Sequence, residues 1–327
     1  MTHSVVMKHT GGPEVLEWLE TPVGEPGPGQ VRVKQSAVGL NFGDTMLRSG
    51  SAPYPFPLPG VLGLDAAGMV EAVGEGVTDF AVGDRVAYTM LLGSYAEARV
   101  LPAERMVKLP DDIDNRTAAA FIGKGLTARY LLRDVYPVKS GDVVLVHAAA
   151  GGVGSMLAQW ANALGATVIG TVYHEEKIAF AKECGCHHVI QLGKEDLAAR
   201  VAEITNGTKA NVVYDSVGKD TFLPSLDCLR PRGWMVLYGI TSGMVEPVSP
   251  MVFGMKGALC FTQPHLMPFI ATRQALLNAT DDLFDAIRTG KIHAQIQHAF
   301  PLREAARAHA EFDSRKLKGA TVLEIDG

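Results

Sequence analysis

Residues 143–154 read Val-Val-Leu-Val-His-Ala-Ala-Ala-Gly-Gly-Val-Gly, an apolar run that breaks into a turn of small residues. The turn opens onto Ser155-Met156-Leu157-Ala158-Gln159-Trp160-Ala161, whose apolar positions recur with helical spacing. A strand, a tight turn and a helix start in this order make a site for a pyrophosphate. Glycine lets the backbone approach the anion, and the helix end offers unpaired N–H groups with a partial positive charge. The small positions are Ala148, Gly151 and Gly154, so alanine stands where the first glycine is usual.

The segments flanking this turn differ in rhythm. Over residues 1–125, short alternating runs such as Val31-Arg32-Val33-Lys34 are separated by Gly and Pro clusters, for example 24–29 and 53–60. That spacing predicts an antiparallel, barrel-like β domain, turning helical around 118–132. From Val143 the pattern is strand then helix, repeated. Strands are expected at 143–147, 167–172, 187–190, 211–214, 233–237 and 257–261, with helices near 152–164, 175–184, 195–205 and 219–228. This predicts an α/β fold with a doubly wound parallel Rossmann sheet. Helices near 272–289 and 302–314 and a last strand at 320–325 have no place in a completed six-stranded sheet, so the tail is expected to return to the N-terminal domain. The domains so defined are 1–125 with 262–327, and 126–261.

Composition excludes several classes of partner. The 327-residue chain is 47% hydrophobic and 20% charged, with net charge −5 and no block of Lys or Arg. Nucleic acid and anionic membrane are not expected partners. No run approaches membrane-spanning length, the first residues lack a secretory pattern, and four cysteines are too few and too scattered for a disulfide framework. A cytoplasmic location is expected.

A dinucleotide site distinguishes its ribose at the end of the second strand. Here that strand ends Ile169-Gly170-Thr171-Val172-Tyr173-His174 without an acid, and Lys177 follows, which favours NADP(H). Glu175 and Glu176 leave a second orientation of this helix start open. Cys184-Gly185-Cys186-His187-His188 carries metal-binding atom types, but the two histidines are adjacent on a strand and face opposite sides. Small buried thiols are the alternative.

A β domain joined to a Rossmann domain, with the chain returning at its end, resembles the medium-chain dehydrogenase/reductase superfamily over essentially the whole chain. Where zinc-dependent members carry Gly-His-Glu-x-x-Gly, this chain reads Gly63-Leu64-Asp65-Ala66-Ala67-Gly68, and Asn41 stands at the first cysteine ligand. Leu64 and Asn41 cannot ligate zinc. A zinc-free member is expected, suited to acceptors that are already electrophilic, such as quinones or conjugated enones.

The NADPH:quinone oxidoreductase branch, the zeta-crystallin-like enzymes, is the nearer match. It rests on residues 39–44 (Gly-Leu-Asn-Phe-Gly-Asp), 123–128 (Gly-Lys-Gly-Leu-Thr-Ala) with Tyr130, the turn 148–154, residues 213–218 (Val-Tyr-Asp-Ser-Val-Gly) and Ser314-Arg315. The resemblance implies a GroES-like catalytic domain and NADPH as cofactor. It implies that Asn41, Asp44, Lys124 and Tyr130 line the reacting side. The turn residues Ala150, Gly151, Gly152, Val153 and Gly154 would hold the pyrophosphate, and Lys177 and Arg315 the 2′-phosphate. Thr171, Tyr238 and Gly239 complete the expected cofactor contacts. Met46, Tyr54, Phe56, Leu91 and Leu92, with Tyr238, Gln263 and Met267, are expected to line the acceptor pocket, the alternative for the apolar and aromatic ones being plain core. Three positions depart from the branch: Met46 and Leu192 stand where it has tyrosines, and Gln263 where it has arginine. Asn41 could donate to an acceptor oxygen or simply cap the following helix; Tyr130 or Lys124 could supply a proton. An enone or alkenal reductase and a non-catalytic NADPH-binding protein, crystallin-like or RNA-associated, are the alternative functions. The exposed edge of the sheet, with apolar residues 251–261, is expected to pair in a homodimer.

Overall fold

The structure, a computed structural model, describes residues 2–325. The chain forms two compact units. The first comprises the residues up to Lys124, Ile270–Phe284 and those from Ala294 onward; the second comprises Gly125–Phe269 and Asp285–His293. Segment 262–269 and the short stretch 285–293 thus group with the second unit.

In the second unit, six strands lie in the order His188–Gln191, Thr167–Val172, Val143–Val146, Ala210–Asp215, Leu229–Leu237 and Cys260–Thr262. Every pairing is parallel. Strands covered on both faces read as continuous apolar runs, and Val144, Leu145 and Val146 have no exposed surface. Order reverses between Val143–Val146 and Ala210–Asp215, the point outside which such sheets bind ligands. Helices Gly152–Ala163, Ile178–Glu183, Leu197–Ile204 and Phe222–Asp227 supply the crossovers.

The edge of this sheet departs from expectation. The strand expected at 257–261 spans only Cys260–Thr262. Met251–Met255 is a short helix, and the strand begins only at Cys260. Gly257 and Ala258, with φ of +107° and +54°, turn the chain between them.

In the first unit, the long strand Gln30–Leu40 pairs antiparallel with Asp65–Val73, Ala98–Pro102 and Ala320–Glu324. The last strand therefore closes onto the N-terminal half. Strand Ile296–Pro301, which the periodicity did not reveal, pairs parallel with Ala320–Glu324. Arg85–Tyr88 and Met106–Lys108 extend the other side. Thr2–Met7, Leu16–Thr21 and Gly60–Val61 form a second, three-stranded sheet. Val31, Val33, Leu40, Tyr88 and Tyr95 lie in the core of this unit.

Helix Asn115–Tyr130 carries the chain across the boundary between the units and ends in a π turn, Leu131–Val135. Its first part packs on the end of strand Gln30–Leu40. A Cβ at Gly39 would stand 2.3 Å from the Ala119 carbonyl, so only glycine lets helix and strand meet there.

Candidate active site

Pairing register assembles the polar cluster of the first unit. Gly39 lies opposite Asp65, and Ala66 opposite Tyr88, which brings Asp65 beside both Asn41 and Thr89. Lys124 arrives from helix Asn115–Tyr130. The Lys124 ammonium donates to Asn41 Oδ1 at 2.8 Å, and because an ammonium can only donate, the amide orientation follows. Asn41 Nδ2 then donates to Asp65 Oδ2 at 2.9 Å and, at the outer limit, to the Gly39 carbonyl at 3.5 Å. Asp65 Oδ1 accepts from the Thr89 hydroxyl at 2.6 Å. A Cβ at Gly123 would fall 2.3 Å from Asp65 Oδ2, so the glycine before Lys124 makes room for the carboxylate.

Asn41 occupies the cap position of helix Phe42–Ser49, yet its side chain is engaged by Lys124 and Asp65. The capping is done from the other end: Asp44 Oδ2 accepts the Asn41 backbone N–H at 2.8 Å. Burial is the main electrostatic influence throughout. It pushes Lys124 below the usual lysine range, against the opposing pull of Asp65 and Asp44. It also raises Asp65, and it lifts Asp44 to about 8, with the neighbouring Asp65 adding to the rise. Asp44 Oδ1 is buried without a hydrogen-bond partner. The sequence reading missed Asp65 as an organiser, along with Thr89, Tyr95, Arg48 and His309. Their types are ordinary, and only strand register brings them together.

Met46 is half-buried, Tyr54 is exposed, and Leu91 and Leu92 pack as partly buried residues against the first core. Tyr54 and Phe56 line a cavity of about 430 Å³ with Thr10, Leu47 and Pro55. Met46, Leu91 and Leu92 are not in its wall.

In the second unit the glycine turn has the form a pyrophosphate needs. Ala148 takes a φ of +49°, a conformation glycine adopts without strain, and Gly151 precedes helix Gly152–Ala163 as its cap. A Cβ at Gly154 would lie 2.2 Å from the Ala148 carbonyl, so this glycine lets the helix close onto the turn. The N–H groups of Gly152, Val153 and Gly154 open the helix and have no carbonyl one turn earlier within it. The cradle fits a dinucleotide diphosphate. Behind it, His147 is fully buried between the Thr171 and Ser225 hydroxyls, at 2.9 and 2.8 Å. Ser225 donates to the Thr221 carbonyl, so His147 Nε2–H donates to Ser225 and Nδ1 accepts from Thr171. The Thr171 hydroxyl is thus engaged inside the protein. Asp215, also unassigned from sequence, accepts from the Val217 and Gly218 N–H groups and from Thr221, shaping the loop at the switch point.

Glu175 turns outward to Lys194 at 3.0 Å, and Glu176 is exposed, whereas Lys177 is half-buried. Leu192 lines a cleft of about 730 Å³ with Tyr173, Asp196 and Thr221. Tyr130 stacks on Phe269 with ring centroids 4.4 Å apart, and burial holds its phenol above the ordinary tyrosine range, with Tyr238 nearby. Gly239 packs on Ser216, where a Cβ would meet the carbonyl at 2.8 Å. Gln263 is exposed and Met267 half-buried in this unit. Arg315, exposed at the end of helix Ala305–Asp313, belongs to the first unit.

Cys184 and Cys186 are buried, while His187 and His188 are exposed. His187 Nδ1 accepts the Val168 N–H at 3.0 Å. Among the described residues, no three His, Cys, Asp or Glu side chains gather as a metal would require.

Residues 27–111 match the family model described as alcohol dehydrogenase GroES-like domain, and residues 152–281 match that of zinc-binding dehydrogenase. The chain is 50% identical over 314 residues to the quinone oxidoreductase of Pseudomonas aeruginosa, covering 96% of each. It is 46% identical over 330 residues to the 2-haloacrylate reductase of a Burkholderia species, covering 99% of each. The solved structure of Escherichia coli quinone oxidoreductase complexed with NADPH matches with a TM-score of 0.95 at 43% identity, over 98% of this chain and 99% of that one. Likeness of this extent, together with the glycine turn and the Asn41–Lys124 cluster, establishes the chain as a member of the quinone oxidoreductase family within the medium-chain dehydrogenases/reductases.

Proposed function

We propose that the protein is an NADPH-dependent reductase that delivers hydride to quinones. The observation that carries this reading is the Lys124–Asn41–Asp65 cluster, an ammonium fixed by Asn41, the residue that stands where zinc-dependent relatives carry their first cysteine ligand. Bound NADPH supplies the hydride. Hydride addition leaves negative charge on the acceptor oxygen, and a preorganised cation in a desolvated site stabilises it. Lys124 is the group that meets this charge. Asn41 orients Lys124, its own N–H groups being directed to Asp65 and the Gly39 carbonyl. In this reading the first unit is catalytic and the second binds the dinucleotide. Backbone N–H groups of Gly152, Val153 and Gly154 would hold the pyrophosphate, the Gly151 N–H being donated to the Ala148 carbonyl, and Lys177 and Arg315 would select the 2′-phosphate. Tyr130 and Tyr238 flank the nicotinamide as protonated phenols, Thr171 supports the turn through His147, and Met46, Tyr54 and Leu91 give the acceptor an apolar surround. A cytoplasmic homodimer that pairs through strand Cys260–Thr262 completes the reading.

The likeness to 2-haloacrylate reductase favours a second substrate class, activated carbon–carbon double bonds. NADPH oxidation with 1,4-benzoquinone, 9,10-phenanthrenequinone and a simple enone, repeated with NADH, separates the readings. Turnover of quinones with NADPH well above NADH is expected. Absence of turnover with every acceptor despite tight NADPH binding would refute the reductase. Equal efficiency with NADH would remove the role given to Lys177 and Arg315.

A further inference from the structure

A chain of hydrogen bonds runs through the first unit from the C-terminal helix to Asp44, and its direction can be read from donor chemistry. Arg48 Nη1 lies 3.1 Å from His309 Nδ1, and a guanidinium only donates, so Nδ1 carries the lone pair. His309 is fully buried, and burial, with the Arg48 charge beside it, lowers its imidazole to about 3. The neutral ring must therefore carry its proton on Nε2, which donates to the Tyr95 oxygen at 3.0 Å. The Tyr95 hydroxyl is left to donate in turn, and its acceptor is Asp44 Oδ2 at 3.4 Å. Every donor points one way. Asp44 Oδ2 thus receives both Tyr95 O–H and Asn41 N–H, while Oδ1 receives none.

The charges around Asp44 allow a count. Arg48, on the same helix, is paired with Asp313 of the C-terminal helix at 2.7 Å. Lys124, from helix Asn115–Tyr130, faces Asp65, which opens strand Asp65–Val73 and is itself held by Asn41 and Thr89. The phenols of Tyr95 and Tyr54 also face Asp44, and both are held above the ordinary tyrosine range. Two cations balance two carboxylates, and Asp44 is the acid left over in a buried site, where an uncompensated charge is costly.

We propose that Asp44 is the proton-holding member of this cluster, and that Tyr95 and His309 are positioning residues that confine its proton to Oδ1 and limit how tightly it is held. Ionisation of Asp44 then places a net negative charge beside Asn41 and Lys124, which opposes delivery of hydride to an acceptor that is itself becoming an anion. Resting on the reductase reading, the kinetic consequence is a loss of turnover as pH rises through the Asp44 transition. Burial, which lifts the Asp44 carboxyl to about 8, agrees with that placement.

The test has a spectroscopic arm that needs no turnover. Infrared difference spectra of the protein alone should contain a protonated-carboxyl C=O stretch at neutral pH that titrates away on the alkaline side and is absent from Asp44→Asn. Tyr95→Phe removes a donor to the ionised form, so it should move the midpoint upward by about one pH unit. His309→Leu should move it the same way, the double variant no further, and His309→Gln, which can keep one donor and one acceptor, should restore it. The alkaline limb of kcat/KM with NADPH should track the same midpoints. A limb that persists in Asp44→Asn belongs to Lys124 and overturns the proposal, as does a carboxyl band indifferent to Tyr95→Phe. If His309→Leu does not fold, Tyr95→Phe, which removes one oxygen, decides alone. Failure of every acceptor would count against the reductase reading and leave the infrared result to judge Asp44.

Discussion

Gly123 and Ala148 are single residues whose neighbours reverse what local propensity would suggest. Alanine is about 1 kcal/mol better than glycine inside a helix, yet a Cβ at Gly123 meets the Asp65 carboxylate, fixed by Asn41 and Thr89. Gly123→Ala should therefore cost a net of about 1–2 kcal/mol in denaturant unfolding and lower kcat/KM through displacement of Asp65. Ala148→Gly has the opposite sign. Relief of the left-handed strain outweighs the added chain entropy, for a gain of up to about 1 kcal/mol at the melting transition. Asp44 gives a pH dependence. Its folded-state proton affinity is raised, so between the unfolded carboxylate range and about 8 the native state binds the extra proton, and its contribution to stability falls as pH rises. Asp44→Asn should melt above the wild type, by a margin that widens from about pH 5 to about pH 8. A motif singled out Asn41, Asp44 and Lys124 as candidates, but their bonding was not legible in it. Donors and acceptors become partners only when Gly39 and Asp65 fall into register.

At the scale of elements, the strand–turn–helix at Val143–Ala163 was the most legible part of the chain, because turn chemistry and apolar runs are local properties. Gly154→Ala should test its tightness. A Cβ 2.2 Å from the Ala148 carbonyl has no flexible side chain to displace, so the helix must move off the turn. NADPH affinity measured by calorimetry should fall more than about tenfold, equivalent to 1.4 kcal/mol or more. Elements whose existence depends on a partner were less legible. Strand Ile296–Pro301 carries Gln297 and His298 and has no clean alternation; it is a strand because Ala320–Glu324 is there to pair with it. The stretch 251–261 is apolar but interrupted by Gly254, Lys256 and Gly257, and the turn at Gly257-Ala258 divides it into a helix and a short strand.

Across the whole molecule, the return of the chain to its first unit is the feature with the largest structural consequence. Strand Ala320–Glu324 lies between Gln30–Leu40 and Ile296–Pro301, so truncation before Ala320 would leave Ile296–Pro301 without its strand partner and strip the pairing from the Ala37–Leu40 end of Gln30–Leu40. Amide exchange should then become fast in the first unit's main sheet, while the parallel sheet, built from 143–262, keeps its protection. Equal loss in both units would refute this. The sequence by itself determined the two rhythms of the chain, the dinucleotide turn and the replacement of zinc-ligand residue types at Asn41 and Leu64. Those depend on residue identity and near-neighbour spacing. Tertiary structure alone decided that Lys124 is held by Asn41 and Asn41 in turn by Asp65, that Thr171 is engaged by His147, and that His309 faces Tyr95 across 214 positions of sequence. A hydrogen bond has reach and direction in space, and spacing along the chain specifies neither once strands pair over such distances.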